Sequence, residues 1–152
     1  MTKQQLLEKL ERAWADLKAS YAGLSEAQMT APGVTGEWSV KDILAHVTTW
    51  EEEALKMLPL IREGTTPPRY ADLYGGVNAF NAQTSARKRD LSLDEVLAQL
   101  DDTHRQVIAT IEGAPDDLIA TETRFRRRIR LDTYSHYPEH ARAIREWRER
   151  SA

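Results

Sequence analysis

Four histidines occur in the 152 residues, and the placement of three of them carries the clearest chemical signal in the chain. His136 and His140 stand four apart, so on a helix their imidazoles lie one above the other and can clasp a single ion. His46 sits on the flank of a separate apolar stripe, one turn before Trp50, and faces a helix neighbour. Three imidazoles from two helices leave one coordination position open, the arrangement by which catalytic zinc acidifies a bound water. A histidine taken singly is more often an ordinary interfacial residue, because imidazole is commonly half-buried. The i, i+4 pair joined by a third ring is what favours a metal. With no cysteine in the chain, any ion must be held by imidazole and carboxylate.

Other candidates surround this triad. Glu53, two turns after His46 on the same flank, is the carboxylate placed to orient an imidazole or act as a base. Glu139 completes His136-Tyr137-Pro138-Glu139-His140, which satisfies the H-x-x-E-H pattern of inverted zinc peptidases with the glutamate as general base. Three fixed letters in five residues are a weak signal, and Pro138 inside the motif argues against a peptidase. His104 falls in the middle of a third apolar stripe and reads as a hydrogen-bonded core histidine, or else as a partner to a metal ligand. Trp14, Trp50, Tyr74, Phe80 and Tyr137 could line a cleft, although aromatics at such spacings are usually core. The run Arg124, Arg126, Arg127, Arg128 and Arg130 reads first as a solvated loop and second as an attractor for an anionic cosubstrate, such as a low-molecular-weight thiol bearing carboxylates.

These residues must be positioned by helices. Leu6, Leu10, Trp14, Leu17 and Tyr21 share one face and predict a helix over about residues 2–22. Ser39 with Asp42 forms a capping box that opens a second helix, running to about Glu63 and burying Ile43, Val47, Trp50, Ala54, Met57, Leu58 and Ile61. Gly64 to Gly76, with Pro67 and Pro68, predicts a crossover loop. From Val77 a third helical stretch runs to Gly113, either one long helix bent near Asp90 or two pieces, with Ser92 and Glu95 repeating the capping box. Pro115 to Leu131 alternates enough to suggest a loop or short strand. A last helix covers about residues 133–149, with Pro138 bending it or falling in its first turn. The reading is an all-α, up-and-down four-helix bundle with long crossover loops, formed by one domain over 1–152. If its helices alternate in direction, the second and fourth run parallel and bring the three imidazoles to one depth.

Composition narrows the partners. The first residues resemble neither a signal peptide nor a lipidation motif, and no apolar run is long enough to cross a membrane, so the expectation is a cytoplasmic protein with no membrane partner. A formal charge of −3 with both signs interleaved gives no reason to expect nucleic acid. A homodimer joined near Trp147 is a further expectation.

The stretch from Glu37 to Glu51, reading EWSVKDILAHVTTWE, resembles the second-helix signature of the DinB superfamily. So does the ending from Asp132 to Trp147, DTYSHYPEHARAIREW. Together with Phe80-Asn81-Ala82-Gln83 before a long helix, these resemble the ClbS/DfsB-like branch, and the likeness covers nearly the whole chain in order. The resemblance implies a nickel or zinc triad on His46, His136 and His140. Its implied activities differ: metal-dependent hydrolases or thiol S-transferases acting on small molecules, or metal-free ClbS-like proteins that bind or hydrolyse an electrophilic molecule. A non-catalytic dimeric ligand-binding bundle is the third expectation.

Overall fold

Capping boxes start three of the long helices. Thr2, Ser39 and Ser92 each accept from the backbone N–H three residues on, while Gln5, Asp42 and Glu95 reach back to the cap N–H, so two orphan donors are satisfied at each start. In this computed structural model, which describes residues 1–152, they open α1 (Lys3–Tyr21), α3 (Val40–Arg62) and α6 (Leu93–Glu112). Between these lie α2 (Glu26–Thr30), α4 (Tyr70–Tyr74) and α5 (Val77–Lys88). The chain ends with α7 (Asp117–Ala120), α8 (Arg124–Asp132) and α9 (Tyr137–Ser151). Ser39→Ala removes the cap that sets the entry of α3, and is expected to lower stability by about 1 kcal/mol in a urea melt.

The four long helices enclose one apolar core. Leu6, Leu10 and Leu17 of α1 meet Ile43, Leu44, Val47 and Leu58 of α3, Leu100, Val107 and Ile111 of α6, and Ala141 and Ile144 of α9, all without solvent exposure. This is the all-α four-helix bundle with a long crossover that the periodicity predicts. Contacts along the bundle fix its directions. Lys3 reaches the carbonyl of Glu112, and Lys18 pairs with Asp101, so α1 and α6 are antiparallel. Arg145 pairs with Asp16, and Arg148 donates to the carbonyl of Ser20, so α9 runs parallel to α1. Lys41 bonds the carbonyl of Arg89 and Arg62 that of Gly113, so α3 and α6 also run parallel. The order is therefore up, down, down, up, and the second and fourth bundle helices, α3 and α9, are antiparallel rather than parallel. Two parallel helices in sequence need a connection that travels the bundle's length, and residues 63–92 supply it with α4 and α5.

Two local expectations change. The segment 115–131 is neither loop nor strand: it holds α7 and α8, with Thr123 capping α8 through the N–H of Arg126. What alternates there is arginine, whereas the buried residues Phe125 and Ile129 stand four apart, the helical period. The last helix begins at Tyr137, not 133, because Thr133 (φ −130°, ψ −100°) interrupts the path from α8. Pro138 then lies in the first turn of α9, where its missing N–H costs nothing. The third helical stretch is two pieces, α5 and α6, parted at Arg89–Ser92.

Candidate metal centre

Although α3 and α9 are antiparallel, His46 lies far enough into α3 to meet the start of α9. The Nε2 atoms of His46 and His136 are 3.1 Å apart, and those of His140 and His136 are 2.9 Å apart. One ligand nitrogen from each of the three rings lies within 4.8 Å of the others. Metal–nitrogen bonds of about 2.0–2.1 Å in a tetrahedral site place neighbouring ligand nitrogens roughly 3.3 Å apart, so the spacing fits one ion with little adjustment. The rings are mutually edge-on, at 68° to 81°, and Trp38 lies against His46. His136 stands at the cap position of α9 with helical φ and ψ, which lets the i, i+4 clasp form at the helix start.

Electrostatics keep the rings in their ligating form. Burial pushes the His46 imidazole down to about 3, with the neighbouring His140 adding to the effect. Burial, then His140 and His46, takes His136 to about 2. His140 is lowered by burial and partly restored by Glu139. All three are neutral near pH 7, the form that offers a lone pair. Ligating imidazoles usually give their other N–H to an acceptor; Nδ1 of His136 is buried with no such protein partner.

A cavity of about 300 Å³ opens on the triad, edged by Trp50, Val77, Asn81, Leu131, Asp132 and Glu139. Trp50 donates to Asn81 Oδ1 at 2.9 Å, which fixes the indole against the wall. Asp132 is buried and accepts from Arg128 Nε at 2.6 Å, and Arg128 also donates to the hydroxyl of Tyr70. Burial nevertheless holds the Asp132 carboxyl up at about 6. Removing its partner leaves a buried unpaired charge, so Arg128→Leu is expected to cost about 3 kcal/mol at pH 8 and less at pH 5, where Asp132 takes a proton. Urea melts at the two pH values read the difference.

The remaining candidates disperse. Glu53 accepts from Tyr70 and pairs with Lys56, touching none of the three imidazoles. Glu139 is exposed at the cavity edge. His104 stacks on Trp14 at 3.8 Å and bonds Glu11, and makes no contact with the triad. Tyr137 is fully buried, not cleft lining, and Trp14 is core. Tyr74 and Phe80 pack with Tyr70 beside Trp50 and line an adjoining cavity. The arginine run is largely tethered: Arg124 to Thr66, Arg126 to two backbone carbonyls, Arg128 to Asp132 and Arg130 to Glu122.

Glu51 and Asp132 escape the sequence reading, and Arg128 enters it only as a member of the arginine run. Glu51, with no solvent exposure, accepts from Tyr137 and Thr103 and so ties α3 to α9 and α6. Burial raises its carboxyl to about 8. Asp132 and Arg128 are spaced i, i+4 on α8, a pairing visible only once 124–132 is read as helical.

An all-helical bundle with three imidazoles at the junction of two helices is the class defined by these features. The chain belongs to the DinB superfamily, whose family model matches residues 9–143. None of the curated proteins matches it by sequence. Among solved structures it is similar to the sibling lethal factor precursor DfsB, at 17% identity and a TM-score of 0.81 over 99% of this chain and 97% of that one. It is also similar to a protein from Streptococcus pneumoniae, at 17% identity and a TM-score of 0.81 over 98% and 91% of the two chains. A third similar structure is the colibactin self-resistance protein ClbS in complex with a double-stranded DNA, at 18% identity and a TM-score of 0.79 over 95% and 94%. That complex overturns the exclusion of nucleic acid drawn from net charge: a protein of this fold does bind DNA, and whole-chain charge does not report on local surface. No helix is long and apolar enough to cross a membrane.

Proposed function

We propose that this chain is a divalent-metal-dependent enzyme acting on a small molecule, of hydrolase or thiol S-transferase type, with zinc or nickel held by His46, His136 and His140. The observation that supports the reading is the convergence of three neutral Nε2 atoms at the floor of a cavity. Imidazole suits both ions. When bound, such an ion supplies Lewis acidity and acidifies a coordinated water or thiol. The chain's own groups do the rest: Trp50, fixed by Asn81, packs against the substrate, and the carboxylates of Asp132 and Glu139 accept protons at the cavity wall.

Elemental analysis of protein purified without a metal-binding tag tests this directly. One equivalent of zinc or nickel per chain is the expected result. A chain that takes up neither ion at stoichiometric level sinks the proposal and favours a metal-free protective role.

A further inference from the structure

The wall of the triad cavity is chemically one-sided. Its charged members are Asp132 and Glu139, and no lysine or arginine lines it. Arg128, which lies against Trp50, is committed to Asp132 and Tyr70, so that pair contributes no free charge, while Glu139 stands exposed at the rim without an ion-pair partner. Apart from Asn81 and the imidazoles, the rest of the rim is apolar. Val77 and Leu131 are 47% and 55% exposed, two of only four large hydrophobic residues so exposed in the protein, and both edge this cavity with Trp50. Apolar side chains left in water around a concave site are a mark of a ligand surface. At about 300 Å³ the cavity is at the small end of the range for ligand pockets.

We propose that this cavity selects compact neutral or cationic molecules with an apolar body, seated between Trp50, Val77 and Leu131, and disfavours ligands bearing a carboxylate beyond the group that reaches the imidazoles. The proposal rests on the reading of the triad as a metal site, and narrows its substrate class. An anionic thiol would meet Glu139 and find no free cation in the wall. The tethered arginines of α8 do not supply one.

Cobalt(II)-loaded full-length protein provides a readout independent of activity. Small thiols that differ in the remote group are titrated while the thiolate-to-cobalt absorption is followed: cysteamine, 2-mercaptoethanol, thioglycolate and 2-phenylethanethiol. Because thiols differ in intrinsic basicity, the decisive comparison is each thiol between wild type and Glu139→Gln. A single charge removed at the rim is expected to tighten thioglycolate and weaken cysteamine by about fivefold each, with 2-mercaptoethanol unchanged. Phenylethanethiol is expected to bind about tenfold tighter than 2-mercaptoethanol, and to lose most of that gain in Leu131→Asn. Thioglycolate unaffected by Glu139→Gln, or phenylethanethiol with no advantage, overturns the selectivity while leaving the metal site standing. Failure of wild type to take up cobalt at one equivalent overturns both.

Discussion

His140→Ala is expected to abolish zinc uptake and, with it, all thermal stabilisation by the ion. The expected size follows from linkage: zinc present at about 1,000 times its dissociation constant adds roughly 4 kcal/mol to the native state. For a chain of this length each kcal/mol moves the melting temperature by about 2–4 °C, so the wild-type shift is about 8–16 °C. His46→Ala gives the same loss, because the third ring comes from the other helix. His104→Ala keeps the shift, since that ring lies against Trp14 and Glu11. Calorimetric scans with and without zinc read all four proteins. A His140→Ala chain that still melts higher with one equivalent of zinc would remove the triad from consideration.

The second large effect concerns Glu51. Its carboxyl is raised from 4.5 to about 8, chiefly by burial, against the opposing hydrogen bonds from Tyr137 and Thr103. A folded-state value above the unfolded one contributes stability that is whole below about 4.5 and is lost as pH rises through about 8. The maximum slope is roughly 1.4 kcal/mol per pH unit, so the Glu51 carboxyl by itself takes about 2 kcal/mol from the metal-free protein between pH 6.5 and 8. Comparison with a variant that lacks the carboxyl isolates this contribution. Asp132, raised to about 6, acts at lower pH in the same sense. The histidines act in the opposite sense: His46 and His136 are depressed to about 3 and about 2, and His104 and His140 are lowered too, so the stability that comes from keeping them neutral is still rising through about 6.5 and offsets part of the Glu51 loss. Glu51→Gln keeps the shape and removes the titration, so the variant is expected to gain about 2 kcal/mol on the wild type between pH 6.5 and 8 and to be the more stable chain at pH 8. Urea denaturation at pH 6.5, 7.25 and 8 settles it; parallel slopes in the two proteins would mean that Glu51 is ionised in the fold.

The bundle was legible because its helices announce themselves twice, by apolar faces and by the capping boxes at Ser39 and Ser92. The three imidazoles were legible for a related reason: a helical i, i+4 pair needs no tertiary knowledge, and beside such a pair a third histidine on an apolar flank reads as its partner. Helix direction was not, since periodicity reports which face is buried and never which way a neighbour runs. The convergence survived that error because His46 lies one-third of the way along α3 and meets α9 at its start. Residues 124–132 were misread because five arginines at near-alternate positions mimic a strand's period, while only Phe125 and Ile129 respond to the core. Glu51 was missed for a different reason. A glutamate beside two more glutamates looks like solvent-facing helix, and only the opposing Tyr137 and Thr103, brought in from distant sequence, make its burial tolerable.

His46 and His136 are separated by 90 positions along the chain. In the unfolded polypeptide that gap is an open loop, and an ion could reach at best the neighbouring pair His136 and His140, a weak bidentate hold. An ion held by all three rings would therefore not be the seed around which this protein organises itself, as zinc is for a finger domain. Assembly would close the chain first and load a cation afterwards, and chelation is expected to strip the finished molecule without dissolving its architecture.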